Sequence, residues 1–192
     1  MPYDLLRANL NSYLPFTESE IALVCACFKE KYVERGEFLL KQGKICRYEG
    51  LVLAGCFRIY TIDKNGNDRI LYFAARDWWI MDHDSFSNNI PSELYIQAIE
   101  SSKVLLISRS DKEILYTKLP KLEKLFRIMF QKALVAWQRR LVRNHCSTAT
   151  ERYIYFKKTY PEIANKITDR YLASYLGISH EFLSKIKNRL NP

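Results

Sequence analysis

The chain has 192 residues, 48% hydrophobic and 14% aromatic, a composition that excludes a disordered or fibrous protein and allows one or two domains with a real core. No apolar run approaches the roughly 18 to 20 residues that span a bilayer, and the opening MPYDLLRANLNSYLPF lacks the basic start and apolar core of a signal segment, so a cytoplasmic protein with no membrane partner is expected. The net charge of +9 is one-sided: residues 1–110 carry 13 Lys and Arg against 14 Asp and Glu, residues 111–192 carry 17 against 7, and the excess points to a polyanion partner for the C-terminal part.

The first helix signal is FTESEIALVCACF. Thr17 and Glu20 have the spacing of a capping box, and Phe16 and Ile21 that of a hydrophobic staple. A helix over 18–28 is predicted, with Ile21, Leu23, Val24, Cys27 and Phe28 toward a core. Cys25, Cys27, Cys46, Cys56 and Cys146 are an odd set without a C-x-x-C pair, which argues for buried reduced thiols rather than a zinc or iron–sulfur site; a redox role for Cys25 and Cys27 is the alternative.

From about Tyr32 to Ser108 the pattern changes to short β-rich runs, EFLLKQ, YEGLVLAGCFRIYTI, DRILYFAA, ELYIQAI and KVLLIS, separated by turn residues. Asn65-Gly66 predicts a tight hairpin with both central residues at positive φ. Strands at this spacing read as an antiparallel barrel or jelly roll.

After Ser108 the periodicity is helical. RSDKEILYTKL is a short helix, and Pro120 suits the first turn of a long one. Leu122, Phe126, Met129, Ala133, Trp137 and Leu141 recur at steps of three and four, and Leu125, Ile128, Phe130, Leu134 and Val135 widen the apolar surface to two sides. One side can lie on the barrel. The other asks for the same helix of a second subunit, giving a homodimer through residues 120–145. CSTATERY breaks the pattern as a hinge, and Pro161 ends the helix that follows. The expected units are therefore 1–118, a β-roll; 119–147, a dimerisation helix with its hinge; and 148–192.

The last segment, ITDRYLASYLGISHEFLSKIKNRL, reads as two helices joined at Gly177. Leu172 and Leu176 share a face, Ala173 permits a close crossing, Gly177 supplies the left-handed turn, and Ser179 caps the second helix. In that helix Leu183, Ile186 and Leu190 fall toward the core while His180, Glu181, Ser184, Lys185, Asn188 and Arg189 point outward. This is the pattern of a helix-turn-helix. His180, Glu181, Ser184 and Lys185 are candidates for base edges in a major groove, and Thr168, Arg170 and Arg189 for phosphates.

Over nearly its whole length the sequence resembles the Crp/Fnr transcription regulators. VERGEFLLKQG and YEGLVLAGCFRIY look like the strands of the family's cyclic-nucleotide-binding β-roll, the helix after Pro120 like its dimerisation helix, and the last segment like its DNA-binding helices. The resemblance implies an α+β fold, an antiparallel jelly-roll sensor domain followed by a long helix and a helix-turn-helix. It also implies double-stranded DNA, a second copy of the chain and RNA polymerase as partners. It places His180, Glu181 and Lys185 at bases, and Thr168, Arg170 and Ser179 at phosphates.

Two departures stand out. Where the family holds a cyclic phosphate with a Gly-Glu pair and an Arg-Ser or Arg-Thr pair, this chain has Ile80 and Met81, then Ser92 and Glu93, and no Arg lies between Arg76 and Arg109. Carboxylates in place of guanidinium make a semi-buried phosphate unfavourable, so cyclic AMP is not expected to bind in the family's manner. Trp78 and Trp79 either fill the pocket, the favoured reading, or stack on another ligand; no cofactor is implied and any effector is unnamed. The sequence also stops at Asn191-Pro192, where many relatives continue into a β-hairpin wing, and weaker affinity per half-site is the expected result.

Other function classes find less support. A metal-dependent barrel enzyme could begin only from His83 with Asp82 and Asp84, and no G-x-S-x-G, phosphate loop or H-E-x-x-H occurs, so no enzyme is expected. A ligand-sensing or protein-interaction roll without a DNA role is the remaining alternative.

Overall fold

The computed structural model describes residues 2–190, and the expected wingless end at Asn191 and Pro192 lies outside them. Two helices, α1 (Pro2–Asn11) and α2 (Glu18–Cys25), precede the strands β1 (Lys29–Val33), β2 (Phe38–Leu40), β3 (Tyr48–Ala54), β4 (Cys56–Ile62), β5 (Asp68–Ala75) and β6 (Trp79–Ile80). A short helix, α3 (His83–Asn88), leads to β7 (Tyr95–Ala98) and β8 (Ser102–Ser108). Six helices complete the chain: α4 (Arg109–Lys118), α5 (Lys121–Cys146), α6 (Ala149–Thr159), α7 (Pro161–Lys166), α8 (Asp169–Leu176) and α9 (His180–Leu190). The expected antiparallel roll, long helix and terminal helix pair are all present. Among the described residues no helix is long and apolar enough to cross a membrane.

The strands form two antiparallel sheets in the orders β1-β8-β3-β6 and β2-β7-β4-β5. Val52, Phe57, Ile59, Ile96 and Val104 from both sheets fill the space between them. The run read from Tyr48 to Ile62 is two strands, one in each sheet, and Gly55 makes the corner. Its φ of +91 is closed to most side chains, and an added Cβ would lie 2.0 Å from the Ser102 Oγ.

Local chemistry explains most element ends. Thr17 and Glu20 form the anticipated capping box, in which the Thr17 amide donates to the Glu20 carboxylate at 2.7 Å. The helix stops at Cys25 rather than 28, because Lys29–Val33 is drawn into pairing with β8 as a charged edge strand. In the β4–β5 hairpin only Gly66 takes positive φ, at 79°; the Asp63 carboxylate accepts from the Asn65 and Asn67 amides, so Asn65 need not leave ordinary geometry. Cys46 and Cys56 are buried, but Cys25 and Cys27 are half-buried and Cys146 is exposed on the far end of α5, which corrects the expectation of uniformly buried thiols. Burial raises the thiol pKa of Cys25 and Cys27, which favours the thiol over the reactive thiolate.

Helix α5 divides along its length. Leu122, Leu125, Phe126 and Met129 are buried against the roll and the N-terminal helices. Beyond them Leu134 is 68% exposed, and Leu141 and Val142 57% each, so the second apolar side stands in solvent. Lys112 and Glu49 make a buried ion pair beside this helix, with the Lys112 ammonium 3.8 Å from the Phe126 ring centre.

Candidate nucleic-acid interface

The final helix pair is built by local signals. Thr168 accepts from the Tyr171 amide to cap α8; Gly177, at φ 69°, ends it, and the Ile178 amide reaches back to the Ala173 carbonyl. Ser179 caps α9 by accepting from the Phe182 amide at 3.1 Å. Leu172, Ala173, Leu176, Leu183 and Ile186 are buried between the helices, and Lys187 ties α9 to Asp169 at 2.7 Å.

This packing leaves one face of α9 in solvent. His180, Glu181, Ser184, Lys185 and Arg189 are exposed on α9, and Thr168, Arg170 and Ser179 are exposed beside it. The Thr168 and Ser179 hydroxyls are occupied as caps, so these residues bring amide-bearing helix starts as well as hydroxyls to the surface. Hydrogen bonds from its own amide and from the Ser179 hydroxyl hold Glu181 below the usual carboxylate range, so it is ionised. Leu190 is corrected: it is 40% exposed, one turn past Ile186 at the helix end, and not part of the core. Phe182, half exposed, was not anticipated on this helix.

The helix pair rests on the roll's outer surface. Ser174 of α8 covers the free edge of β5, donating to the Asp68 carbonyl at 2.6 Å and accepting from the Ile70 amide at 3.0 Å. Arg58 of β4, bonded to Asp68 at 2.5 Å and to Gln97, lies between the Tyr60 ring at 4.0 Å and the Tyr171 ring at 4.5 Å. Lys166 reaches Glu100 at 2.6 Å. Below these contacts Tyr60, Ile70 and Phe73 share one apolar cluster with Phe156, Leu172, Leu176 and Leu183.

The residues placed in the roll's pocket are brought together only in part. Ile80 and Met81 are buried in the roll's core. Ser92 is buried and donates to the Asp82 carboxylate at 2.6 Å, whereas Glu93 is exposed. Trp79 turns to the other side, against Phe28 and Phe126, with its indole N–H on Asn9 at 2.9 Å. Trp78 stands edge-on to Tyr160 at 5.7 Å. Asp82 is spent capping α3, and His83 packs on Phe130. Among the described residues no group of three or more His, Cys, Asp or Glu side chains converges as a metal site would.

Residues 30–118 match the family model of the cyclic nucleotide-binding domain. FixK2 from Bradyrhizobium japonicum superposes with a TM-score of 0.75 at 19% identity, over 85% of this chain and 84% of that one. The c-di-GMP responsive global regulator CLP of Xanthomonas campestris gives 0.74 at 14% identity, over 91% and 92%. A Crp/Fnr-family protein from Eubacterium rectale gives 0.72 at 16%, over 94% and 88%. The chain has the Crp/Fnr fold. No curated protein matches it in sequence.

In this Crp/Fnr frame the sequence located the helix pair and its outer face, but not what holds them to the roll. Arg58, Ser174 and Tyr171 are joined across more than 100 positions, a relation no local spacing reveals. One signal was available: CFRIYTI is apolar on both faces of a strand, which calls for cover on both sides.

Proposed function

We propose that the chain is a homodimeric, sequence-specific DNA-binding transcription regulator of the Crp/Fnr type. One observation carries this reading: His180, Glu181, Ser184 and Lys185 form a polar, solvent-facing row on the second helix of a helix-turn-helix whose opposite face is buried. Such a row fits a major groove, with Arg170 and Arg189 beside it for phosphates. The charge excess of residues 111–192 supports the same partner.

In this reading residues 1–118 form a sensor roll, 119–147 the dimerisation helix and hinge, and 148–192 the DNA-binding unit. The exposed Leu134, Leu141 and Val142 of α5 meet the same helix of a second copy, which sets two α9 helices on half-sites about one helical turn, 34 Å, apart. The break at Ser147, where extended backbone separates α5 from α6, lets the helix pair change its spacing. The protein works in the cytoplasm and acts on transcription through RNA polymerase; catalysis is not part of the reading. Cyclic AMP is not its effector in the family's manner, since Ser92 is committed to a carboxylate and Ile80 and Met81 to the core.

The test is the salt dependence of binding to a duplex selected by the purified protein from random DNA. Neutralising several phosphates gives a log–log slope of about −0.9 per phosphate. A roll serving only protein partners would show no specific duplex and no such slope.

A further inference from the structure

Between the roll, α5 and the C-terminal helices lies a cavity of about 410 Å³, a size at which proteins hold small molecules. All three parts supply its walls, through Tyr72 and Trp78, through Trp137 and Arg140, and through Tyr160 and Tyr175. Trp78, Trp79 and Met81 of the expected roll pocket line it, whereas Ser92 and Glu93, at the position of the family's phosphate contact, do not. Neither do Leu134, Leu141 and Val142, the α5 residues left for a second copy, so dimer formation through that side does not fill it.

The walls pair aromatic rings with uncompensated positive charge. Tyr72 meets Trp137 edge-on at 5.5 Å, and Trp78 meets Tyr160 edge-on at 5.7 Å. An edge-on partner occupies only one face of a ring, which leaves aromatic surface for a planar guest. The half-buried Arg140 guanidinium stacks on Tyr175 at 4.1 Å, and its hydrogen bond to the Tyr175 carbonyl is a long one, 3.4 Å. Neither Arg140 nor Arg143, which also lines the cavity, has a carboxylate within ion-pair distance among the described residues. Burial pushes the Arg140 pKa down, as expected of a charge lacking an anion. The carboxylates in the lining have partners elsewhere: Glu49 pairs with Lys112, and Asp77 accepts from Asn9 at 2.8 Å.

We propose that this cavity binds a small planar aromatic acid, with its ring among Trp78, Trp137 and Tyr160 and its anionic group on Arg140 and Arg143. The site does not depend on the DNA reading, and the test uses the full chain without DNA, so either can fail alone. Calorimetric titration with 2-naphthoate is compared with uncharged 2-naphthamide. The acid should bind about 10-fold or more tightly than the amide, the contribution of charge-assisted hydrogen bonds. That preference should shrink toward one in Arg140→Gln and in Arg143→Gln, and circular dichroism shows which variants fold; if one does not, the other decides. Equal affinity for acid and amide overturns the proposal. So does a preference unchanged in the folded variants, or no binding of either compound at millimolar concentration.

Discussion

Gly55 and Gly177 offer a matched pair of perturbations. Both have positive φ, 91° and 69°, and in each an alanine costs about 1–2 kcal/mol for the left-handed backbone. At Gly177 a new Cβ meets nothing within 4 Å, so the loss stops there. At Gly55 the same atom would stand 2.0 Å from the Ser102 Oγ and 2.7 Å from its Cα. Turning the hydroxyl away relieves only the first clash and breaks its bonds to the Cys56 amide and the Glu100 carbonyl. Moving the Cα displaces β8. Overpacking adds about 1–3 kcal/mol, and a buried amide left without an acceptor another ~1–3 kcal/mol. Gly55→Ala should therefore lose at least about 2 kcal/mol more than Gly177→Ala, taking the low end of both additions. Urea unfolding followed by tryptophan fluorescence measures the difference, at one fixed protein concentration because association contributes to apparent stability. Equal losses would refute the account of the corner.

Three further expectations concern function. A double-mutant cycle of Arg58→Ala and Tyr171→Ala should give a coupling of about 0.5–2 kcal/mol, since the guanidinium stack joins the roll to α8; simple additivity would deny that link. Lys185→Ala should lower affinity by about 1–3 kcal/mol and relax preference at one base, while Arg170→Ala weakens all sequences alike and reduces the salt slope by about one. The reverse pattern in a binding-site selection would exchange their roles. Cyclic AMP should give no calorimetric signal at micromolar concentration, and a micromolar dissociation constant would overturn the reading of Ile80, Met81, Ser92 and Glu93.

What could be read from the sequence was what is decided within a few residues. Thr17 with Glu20 and Ser179 act on amides three positions away, and the Gly177 amide donates to carbonyls three and four positions back, so these helix starts, the turn and the helix pair were legible. The outer face of α9 followed from the same periodicity, which missed the exposed Phe182 and failed at Leu190, where the helix ends. Strand β1 was missed because KEKYV is polar and owes its conformation to β8, far along the chain. Asn65-Gly66 announced a hairpin correctly, but the Asp63 carboxylate determined its geometry. The cavity and the Arg58 stack had no sequence signature beyond the two apolar faces of CFRIYTI, since they arise where the roll, the C-terminal helices and, at the cavity, α5 meet.

The cluster shared by Tyr60, Ile70 and Phe73 with the C-terminal helices has a practical consequence for dissecting the protein. A roll expressed alone would present a greasy outer wall to water and should self-associate. Nicking the backbone near Ser147 should instead give two fragments that stay together through purification and part only in denaturant.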